Sequence, residues 1–152
     1  MSKALIVYTS MTGNTKTCAH IVEDKLKELG VRVTVKDCTQ AGADEFMDVD
    51  ICIVGTYTYG DYGNLPNEMV NFYEDLASLK LKGKVFGVFG SGDSYYPQFC
   101  KAVDDFTDQF IKTGATVGAD CVKVDLSPNM EDLANLHAFA KSLDWWQKRM
   151  VV

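Results

Sequence analysis

The sequence contains only three prolines among its 152 residues, and no proline- or serine-rich linker interrupts it. It also lacks internal repeats, low-complexity tracts and any apolar run near the roughly 20 residues that a membrane-spanning helix needs. A chain of this length without a linker is typical of one folded domain of about 100–200 residues. We therefore predict a single domain over residues 1–152 and no membrane partner.

Positively charged side chains are scarce as well. Lysine and arginine number 15 against 21 aspartates and glutamates, which gives a net charge of −6. Nucleic acids and anionic membranes both select proteins with basic patches, so we expect this chain to bind neither. Apolar residues make up 47% and charged residues 24%, a balance that excludes a disordered chain.

The cysteines are not spaced like those of a disulfide framework or a zinc site. Their number is odd and no two form a C-x-x-C pair, at positions Cys18, Cys38, Cys52, Cys100 and Cys121. Most such cysteines pack as small apolar side chains in a reducing compartment, and we expect no metal site. The N-terminus also lacks the apolar core and cleavage site of a signal peptide, which predicts a cytoplasmic protein.

Apolar segments predict five β-strands that alternate with helices. The strands are residues 4–8, 31–35, 51–55 and 85–89, with a fifth inside 115–124. Helical spacing marks about 18–29, 69–79, 99–110 and 131 onward, and a short helix is compatible with 43–47. The first, third and fourth strands are apolar on both faces, which is typical of a parallel sheet covered by helices. We predict an α/β fold with a doubly wound, five-stranded parallel sheet in three α/β/α layers.

Three loops follow the carboxyl ends of the predicted strands, where open parallel sheets bind their ligands. They are residues 9–15, 56–66 and 91–97, and all are rich in glycine, hydroxyl side chains or tyrosine. These residue types suit a small, polar and planar ligand.

The first loop leads directly into a helix. Its side-chain donors and the N–H groups of the helix start could cradle a phosphate, and Gly13 lets the backbone approach the anion. The loop contains neither the G-x-x-x-x-G-K-[ST] nor the G-x-G-x-x-G pattern. Simple capping of the helix by serine, threonine and asparagine explains the same residues equally well.

The tyrosines of the other loops divide into two groups. Tyr59 and Tyr96 stand beside a Gly-Asp pair and a proline turn, so we predict that they stack on a flat ring. Packing against neighbouring loops is favoured for Tyr57, Tyr62 and Tyr95.

Together, three segments resemble the FMN-binding loops of short-chain flavodoxins. They are Ser10-Met11-Thr12-Gly13-Asn14-Thr15, Thr58-Tyr59-Gly60-Asp61 and Gly90-Ser91-Gly92-Asp93-Ser94-x-Tyr96. The resemblance covers the whole chain, which lacks the insertion of the long-chain kind. It implies a flavodoxin-like sheet in the order 2-1-3-4-5 and an FMN-binding carrier of single electrons that is not an enzyme.

The resemblance also implies a role for each loop. The first would hold the FMN phosphate, with Thr58 as a further donor, while Tyr59 covers the inner face of the ring and Tyr96 the outer face. Asp93, Ser91 and Gly92 would lie near the ribityl chain and the ring edge. The other candidates for contact with FMN are Thr56, Tyr57, Gly60, Asp61, Phe99 and Cys100, although packing is favoured for Cys100.

The implied partners are a flavodoxin reductase and acceptor redox proteins, and the protein is expected to bind them transiently as a monomer. Acidic side chains near the loops would attract the basic surfaces of such partners. Asp61 and Asp93 add negative charge at the ring, so we expect its second one-electron reduction to have a low potential.

Two alternatives remain open, a flavodoxin-like activator of ribonucleotide reductase and a small FMN-dependent reductase. A phosphorylated receiver domain is excluded because Thr9-Ser10 and Gly55-Thr56 stand where that class needs acidic residues. No catalytic constellation is predicted, since His20 and His137 lie within helices, far in sequence from the loops.

Overall fold

The computed structural model describes residues 1–150, which form one parallel sheet with helices on both faces. In this range the strands are β1 (Lys3–Tyr8), β2 (Arg32–Asp37), β3 (Ile51–Tyr57), β4 (Val85–Gly92), β5 (Thr116–Val117) and β6 (Val122–Asp125). The α-helices are α1 (Asn14–Glu28), α2 (Val70–Leu76), α3 (Lys101–Lys112) and α4 (Met130–Met150). Short 3-10 segments cover Cys38–Gln40, Ala43–Asp48 and Asn67–Met69.

The strand order is β2-β1-β3-β4, and the fifth position is shared by β5 and β6. β5 pairs with the start of β4 at Val85 and Phe86, whereas β6 pairs with its end, from Phe89 to Gly92. All of these pairings are parallel. The predicted order 2-1-3-4-5 and the three-layer α/β fold are therefore confirmed, with the fifth strand divided in two.

Alternation along the central strands produces two separate cores. In β1, Ala4 and Ile6 pack under α1 and α4, while Leu5 and Val7 pack under α2 and α3. Strands with apolar side chains on both faces can be buried on both, which is the physical basis of the three layers. Most members of the apolar stripes predicted for the first and last helices are buried, whereas Ile21, Leu29 and Leu133 are half-buried. The buried members are Cys18, Val22 and Leu26 in α1, and Leu136, Phe139, Ala140 and Leu143 in α4.

Several predicted boundaries were wrong, and long-range contacts explain why. The loop predicted over residues 56–66 begins two residues later, because Thr56 and Tyr57 pair with Gly90 and Ser91 and so extend β3. The same ladder continues β4 beyond its predicted end as far as Ser91, and pairing with Asp125 of β6 extends it to Gly92.

Two predicted helices are shorter than their apolar spacing indicated. Phe99 lies outside α3 because Cys100 has a left-handed backbone, with φ of 52°, that cannot continue into the helix. Leu79 lies outside α2, which ends at Leu76 and passes into turns.

The fifth strand is interrupted at residues 118–121, where the chain leaves the ladder. The Gly118 N–H still donates to the Phe86 carbonyl at 2.9 Å, and a Cβ at Gly118 would meet a Leu143 methyl at 2.8 Å. Pairing resumes only at Val122, so this edge of the sheet offers two short strands instead of one long one.

All five cysteines are free thiols. Four of them are buried, and burial raises the pKa of Cys18, Cys52 and Cys100 to about 12, whereas Cys121 is exposed. Residues 1–150 contain no cluster of three or more His, Cys, Asp or Glu side chains arranged to hold a metal ion. Within the same residues, no helix has the length and apolar character required to cross a bilayer.

The stacked pair Phe86–Phe110 lets us predict where the second core is most sensitive. Their ring centroids lie 4.7 Å apart, and Phe110 also contacts Phe46 at 5.5 Å. We expect Phe110→Ala to lower the free energy of unfolding by about 3–5 kcal/mol, since it leaves a cavity between sheet and helix. Urea unfolding followed by circular dichroism measures the loss.

The adjacent Ile111 provides the control, because it lies in the same helix and is 54% exposed. Ile111→Ala should change the free energy of unfolding by no more than about 0.5 kcal/mol. Equal losses in the two variants would contradict the assignment of Phe110 to the core.

Candidate functional site

A cavity of about 440 Å³ opens at the carboxyl edge of the sheet. Its volume is within the range of about 300–1,000 Å³ that is usual for small-molecule sites. All three predicted loops contribute to its wall, which consists of Met11, Thr12, Asn14, Thr15, Tyr57, Thr58, Tyr59, Gly60, Ser91, Gly92, Asp93, Tyr96 and Leu126.

The first loop forms one end of the cavity. Gly13, with φ of 96°, is the residue before α1, and Ser10 Oγ accepts hydrogen bonds from the N–H groups of Gly13 and Lys16 at 3.1 and 3.3 Å. Ser10 therefore points into its own loop and not into the cavity. Lys16 thus already has a partner for its N–H, so in the first helical turn the N–H groups of Asn14 and Thr15 remain available to an anion.

A buried hydrogen bond joins the first loop to the third. Thr15 Oγ1 and Ser91 Oγ lie 2.7 Å apart, and both residues are almost fully buried. This bond holds the start of α1 against the end of β4, so that the two loops form one continuous wall.

The second loop is a tight turn that presents Tyr59. Tyr59 and Asn64 exchange two backbone hydrogen bonds of 2.9 Å, and the turn between them contains Gly60 and Gly63, both with positive φ. The Tyr59 side chain is 55% exposed at the cavity rim, which makes one face of its ring available to a ligand.

Thr58 and Tyr57 already have partners within the protein. Thr58 Oγ1 accepts the N–H of Ala102 at 3.0 Å, at the start of α3. The Tyr57 hydroxyl donates to Glu68 Oε1 at 2.7 Å. The packing predicted for Tyr57 is thus present, although its ring also lines the cavity.

The third loop is folded around Asp93. The Asp93 carboxylate accepts a hydrogen bond from the N–H of Tyr95 at 2.9 Å, and the Asp93 backbone carbonyl accepts one from the N–H of Tyr96 at 3.0 Å. Tyr96 lines the cavity, whereas Tyr95 is 84% exposed and packs edge-on against the Tyr96 ring.

The end of β6 supports the third loop, a role that the sequence reasoning missed. Asp125 accepts both the N–H and the hydroxyl of Ser94, and these bonds lower the pKa of its carboxyl. Leu126 donates its N–H to the Gly92 carbonyl at 2.7 Å and lines the cavity, with φ of 61°. The rule that marked the other three loops applies equally to the end of the fifth strand, but the sequence placed that strand only within residues 115–124 and so did not fix its end.

The remaining candidates lie behind or beside the cavity wall. Thr56 is buried and donates its hydroxyl to the Tyr57 carbonyl, and Asp61 is exposed outside the wall. Phe99 and Cys100 pack against Gly92, and a Cβ added at Gly92 would lie 2.9 Å from the Cys100 sulfur. The packing favoured for Cys100 is therefore observed.

The cavity wall is weakly acidic and carries no catalytic constellation. Asp93 is the one ionised side chain among its lining residues, which include no lysine, arginine or histidine. His20 lies on the surface of α1, where its Nδ1 is 2.9 Å from Glu23 Oε1. This arrangement can bind and orient a ligand, but its lining offers no nucleophile with an adjacent base.

FMN fits these features at three points. The first turn of α1, with Thr12, Asn14 and Thr15, supplies uncharged donors for a phosphate. Tyr59 and Tyr96 supply faces for a planar ring, and Asp93 supplies an acceptor near the end of β4.

Comparison with known proteins agrees with this geometry. A family model described as flavodoxin matches residues 6–139. The chain is 38% identical over 151 residues to "Probable flavodoxin 1" of Bacillus subtilis (strain 168), an alignment that covers 99% of this chain and 95% of the relative.

Solved structures of flavodoxins superpose on the chain over almost its whole length. The flavodoxin of Streptococcus pneumonia TIGR4 has a TM-score of 0.93 and 56% identity, covering 95% of this chain and 99% of the other. A short-chain flavodoxin associated with a PDU bacterial microcompartment has a TM-score of 0.94 and 46% identity, covering 97% and 99%. These matches show that the chain belongs to the flavodoxin family, in its short-chain form, and that it is an FMN-binding electron carrier and not an enzyme.

Proposed function

We propose that residues 1–152 form a single domain that binds one FMN in the cavity at the carboxyl edge of the sheet. In this proposal the protein carries single electrons from a reductase to acceptor redox proteins. The observation that carries it is the cavity wall, in which an uncharged anion cradle and two rim tyrosines face the same space.

The phosphate end of the site uses neutral groups alone. The helix N-terminus attracts an anion through its dipole and the N–H groups of Asn14 and Thr15. Thr12 and Asn14 add polar side chains there, and the Thr15 hydroxyl is shared with Ser91. Because Ser10 Oγ is bonded to Gly13 and Lys16, its role in this proposal is to shape the loop.

The ring end of the site lies between Tyr59 and Tyr96. Both side chains are partly exposed in the cavity rim, so a bound ring would cover apolar surface that now faces water. Gly60 follows Tyr59 with φ of 74°, and a glycine peptide can change its orientation at little cost.

Bound FMN supplies the one-electron chemistry, while the chain orients the ring and sets the electric field around it. Asp93 lies in the wall and Asp61 just outside it, with no cation among the lining residues. Both carboxylates oppose the build-up of negative charge on the ring, which favours a strongly reducing carrier.

The surroundings of the cavity support brief encounters with redox partners. Met11, Tyr59 and Leu126 are exposed at the rim, and the net charge of −6 favours partners with basic surfaces. We further propose that the protein is a cytoplasmic monomer, which agrees with its five free thiols. The family relationship does not favour the two alternatives, an activator of ribonucleotide reductase and a small FMN-dependent reductase.

A titration of the FMN-free protein tests the proposed function directly. We expect FMN to bind with one site per chain and to give a yellow protein. Slow reduction should then produce a stable blue form before the colour is lost, as a carrier of single electrons requires. Direct bleaching by NAD(P)H with quinone turnover would instead indicate a reductase.

The two rim tyrosines should contribute to FMN affinity through stacking. We expect Tyr59→Ala and Tyr96→Ala each to raise the dissociation constant of FMN by about tenfold, since stacking and lost burial are together worth about 1–3 kcal/mol. Tyr62→Ala is the control, because Tyr62 is 82% exposed and does not line the cavity. Fluorescence titration of each variant gives the constants, and equal values for all three would contradict the stacking proposal.

The acidic side chains should lower the potential of the second one-electron step. We expect Asp61→Asn with Asp93→Asn to raise this potential by on the order of 10–50 mV per charge, as Coulomb's law gives near a protein surface. Asp48→Asn is the control, since Asp48 precedes β3 at the opposite edge of the sheet. Spectroelectrochemical titration measures the shift, and an unchanged potential in the double variant would refute the electrostatic explanation.

A further inference from the structure

Glu68 connects two strands that border the cavity through a single carboxylate oxygen. Its Oε1 accepts a hydrogen bond from the Thr9 hydroxyl at 2.7 Å and another from the Tyr57 hydroxyl at 2.7 Å. Thr9 directly follows β1 and Tyr57 is the last residue of β3, so the carboxylate bridges neighbouring strands of the sheet.

Glu68 and Tyr57 lie at opposite ends of the second loop, so the hydrogen bond between them joins the two ends. Tyr57 precedes the turn that carries Tyr59 and Gly60, and Glu68 follows that turn in the 3-10 segment Asn67–Met69. The hydrogen bond between Tyr57 and Glu68 therefore fixes both ends of the loop. Its partner Thr9 lies immediately before Ser10, so the same carboxylate also fixes the start of the first loop.

The groups that meet Glu68 are held firmly by the fold. Thr9 is only 3% exposed, and its N–H donates to the Gly55 carbonyl at 3.0 Å. The neighbouring Met69 is fully buried, and the Cys38 thiol lies 3.6 Å from the Glu68 carbonyl. The carboxylate thus connects the second loop, which lies on the surface, to buried residues of the sheet.

The hydrogen bonds of Glu68 are of the stronger, charge-assisted kind. Partial burial opposes ionisation of Glu68, but the bonds from Tyr57 and Thr9 outweigh it, and the pKa of this carboxyl is lowered. Removal of the acceptor would leave the buried Thr9 hydroxyl without this partner and the Tyr57 ring free to move.

We propose that Glu68 is a positioning residue for the FMN site, which fixes the first and second loops in the arrangement that binds the cofactor. This inference rests on the proposed cavity as the FMN site. Glu68 does not line that cavity, so it acts through Tyr57 and through the backbone of the two loops. A site that is ordered before binding loses less conformational entropy when the ligand arrives.

Two substitutions at this position separate its acceptor from its charge. Glu68→Gln keeps an oxygen that can accept from both hydroxyls but removes the negative charge. Glu68→Ala removes both the oxygen and the charge. The two variants have the same charge, so the ratio of their FMN dissociation constants measures the loss of the acceptor together with the rest of the side chain.

We expect Glu68→Ala to bind FMN about tenfold more weakly than Glu68→Gln, because the hydrogen bonds from Thr9 and Tyr57 that order the two loops are lost. Glu74→Ala is the matched control, since Glu74 is an exposed carboxylate on the following helix, and its constant should equal that of the original chain. Titration of FMN-free protein followed by flavin fluorescence provides all of the values.

A double-mutant cycle tests whether Glu68 acts through Tyr57. Tyr57→Phe should weaken FMN binding by about threefold in the original chain, as expected for one lost hydrogen bond, and should have no further effect in Glu68→Ala. Equal effects in both backgrounds would show that the two residues are independent and would overturn the inference.

Melting temperatures of the Glu68 variants, measured with and without FMN, show whether Glu68 affects only the stability of the fold. If Glu68 only stabilised the fold, Glu68→Ala would melt earlier with and without FMN while its dissociation constant matched that of Glu68→Gln, and the inference would be overturned. Failure of the original chain to bind FMN would instead refute the proposed function itself. Binding by the original chain that is unaltered in Glu68→Ala refutes only the role of Glu68.

Discussion

The parallel ladder between β3 and β4 is the constraint on which the site depends. It continues to the pair Tyr57–Ser91, one step beyond the buried pair Thr56–Gly90, and so brings two cavity residues side by side. On the other side of β3, the Thr9 N–H binds the Gly55 carbonyl and places the first loop next to the second. The three loops converge because their strands end at the same level, and apolar burial on both faces of the sheet maintains that level.

Much of this architecture could be predicted because the relevant signals are local. Three apolar segments and one alternating segment, each of five residues, marked strands, and helical spacing marked the stripes that α1 and α4 bury. The general rule that ligands bind beyond the carboxyl ends of parallel strands was then sufficient to select the loops that form the cavity wall. This rule selects the loops that carry Tyr59 and Asp93, whereas the role of Asp93 beside the ligand follows from the resemblance to flavodoxins.

The parts that could not be predicted depend on contacts between distant residues. Cys100 has a left-handed backbone, so α3 begins after it and excludes Phe99. The Cys100 side chain packs against Gly92, and no local sequence pattern encodes this contact. The support of Ser94 by Asp125 joins residues 31 positions apart. Likewise, the hydrogen bonds that Ser10 Oγ accepts from the N–H groups of Gly13 and Lys16 depend on the path of the loop, which no local pattern encodes.

The division of the fifth strand has a consequence for association between molecules. An outer strand with a long row of free N–H and C=O groups is a template on which another chain can add by hydrogen bonding. Within residues 1–150, the outer position next to β4 consists of Thr116–Val117 and Val122–Asp125, separated by residues that leave the ladder. Neither piece reaches the usual strand length of about 5–6 residues, so this border of the sheet resists intermolecular strand addition and the fibrous aggregation that begins with it.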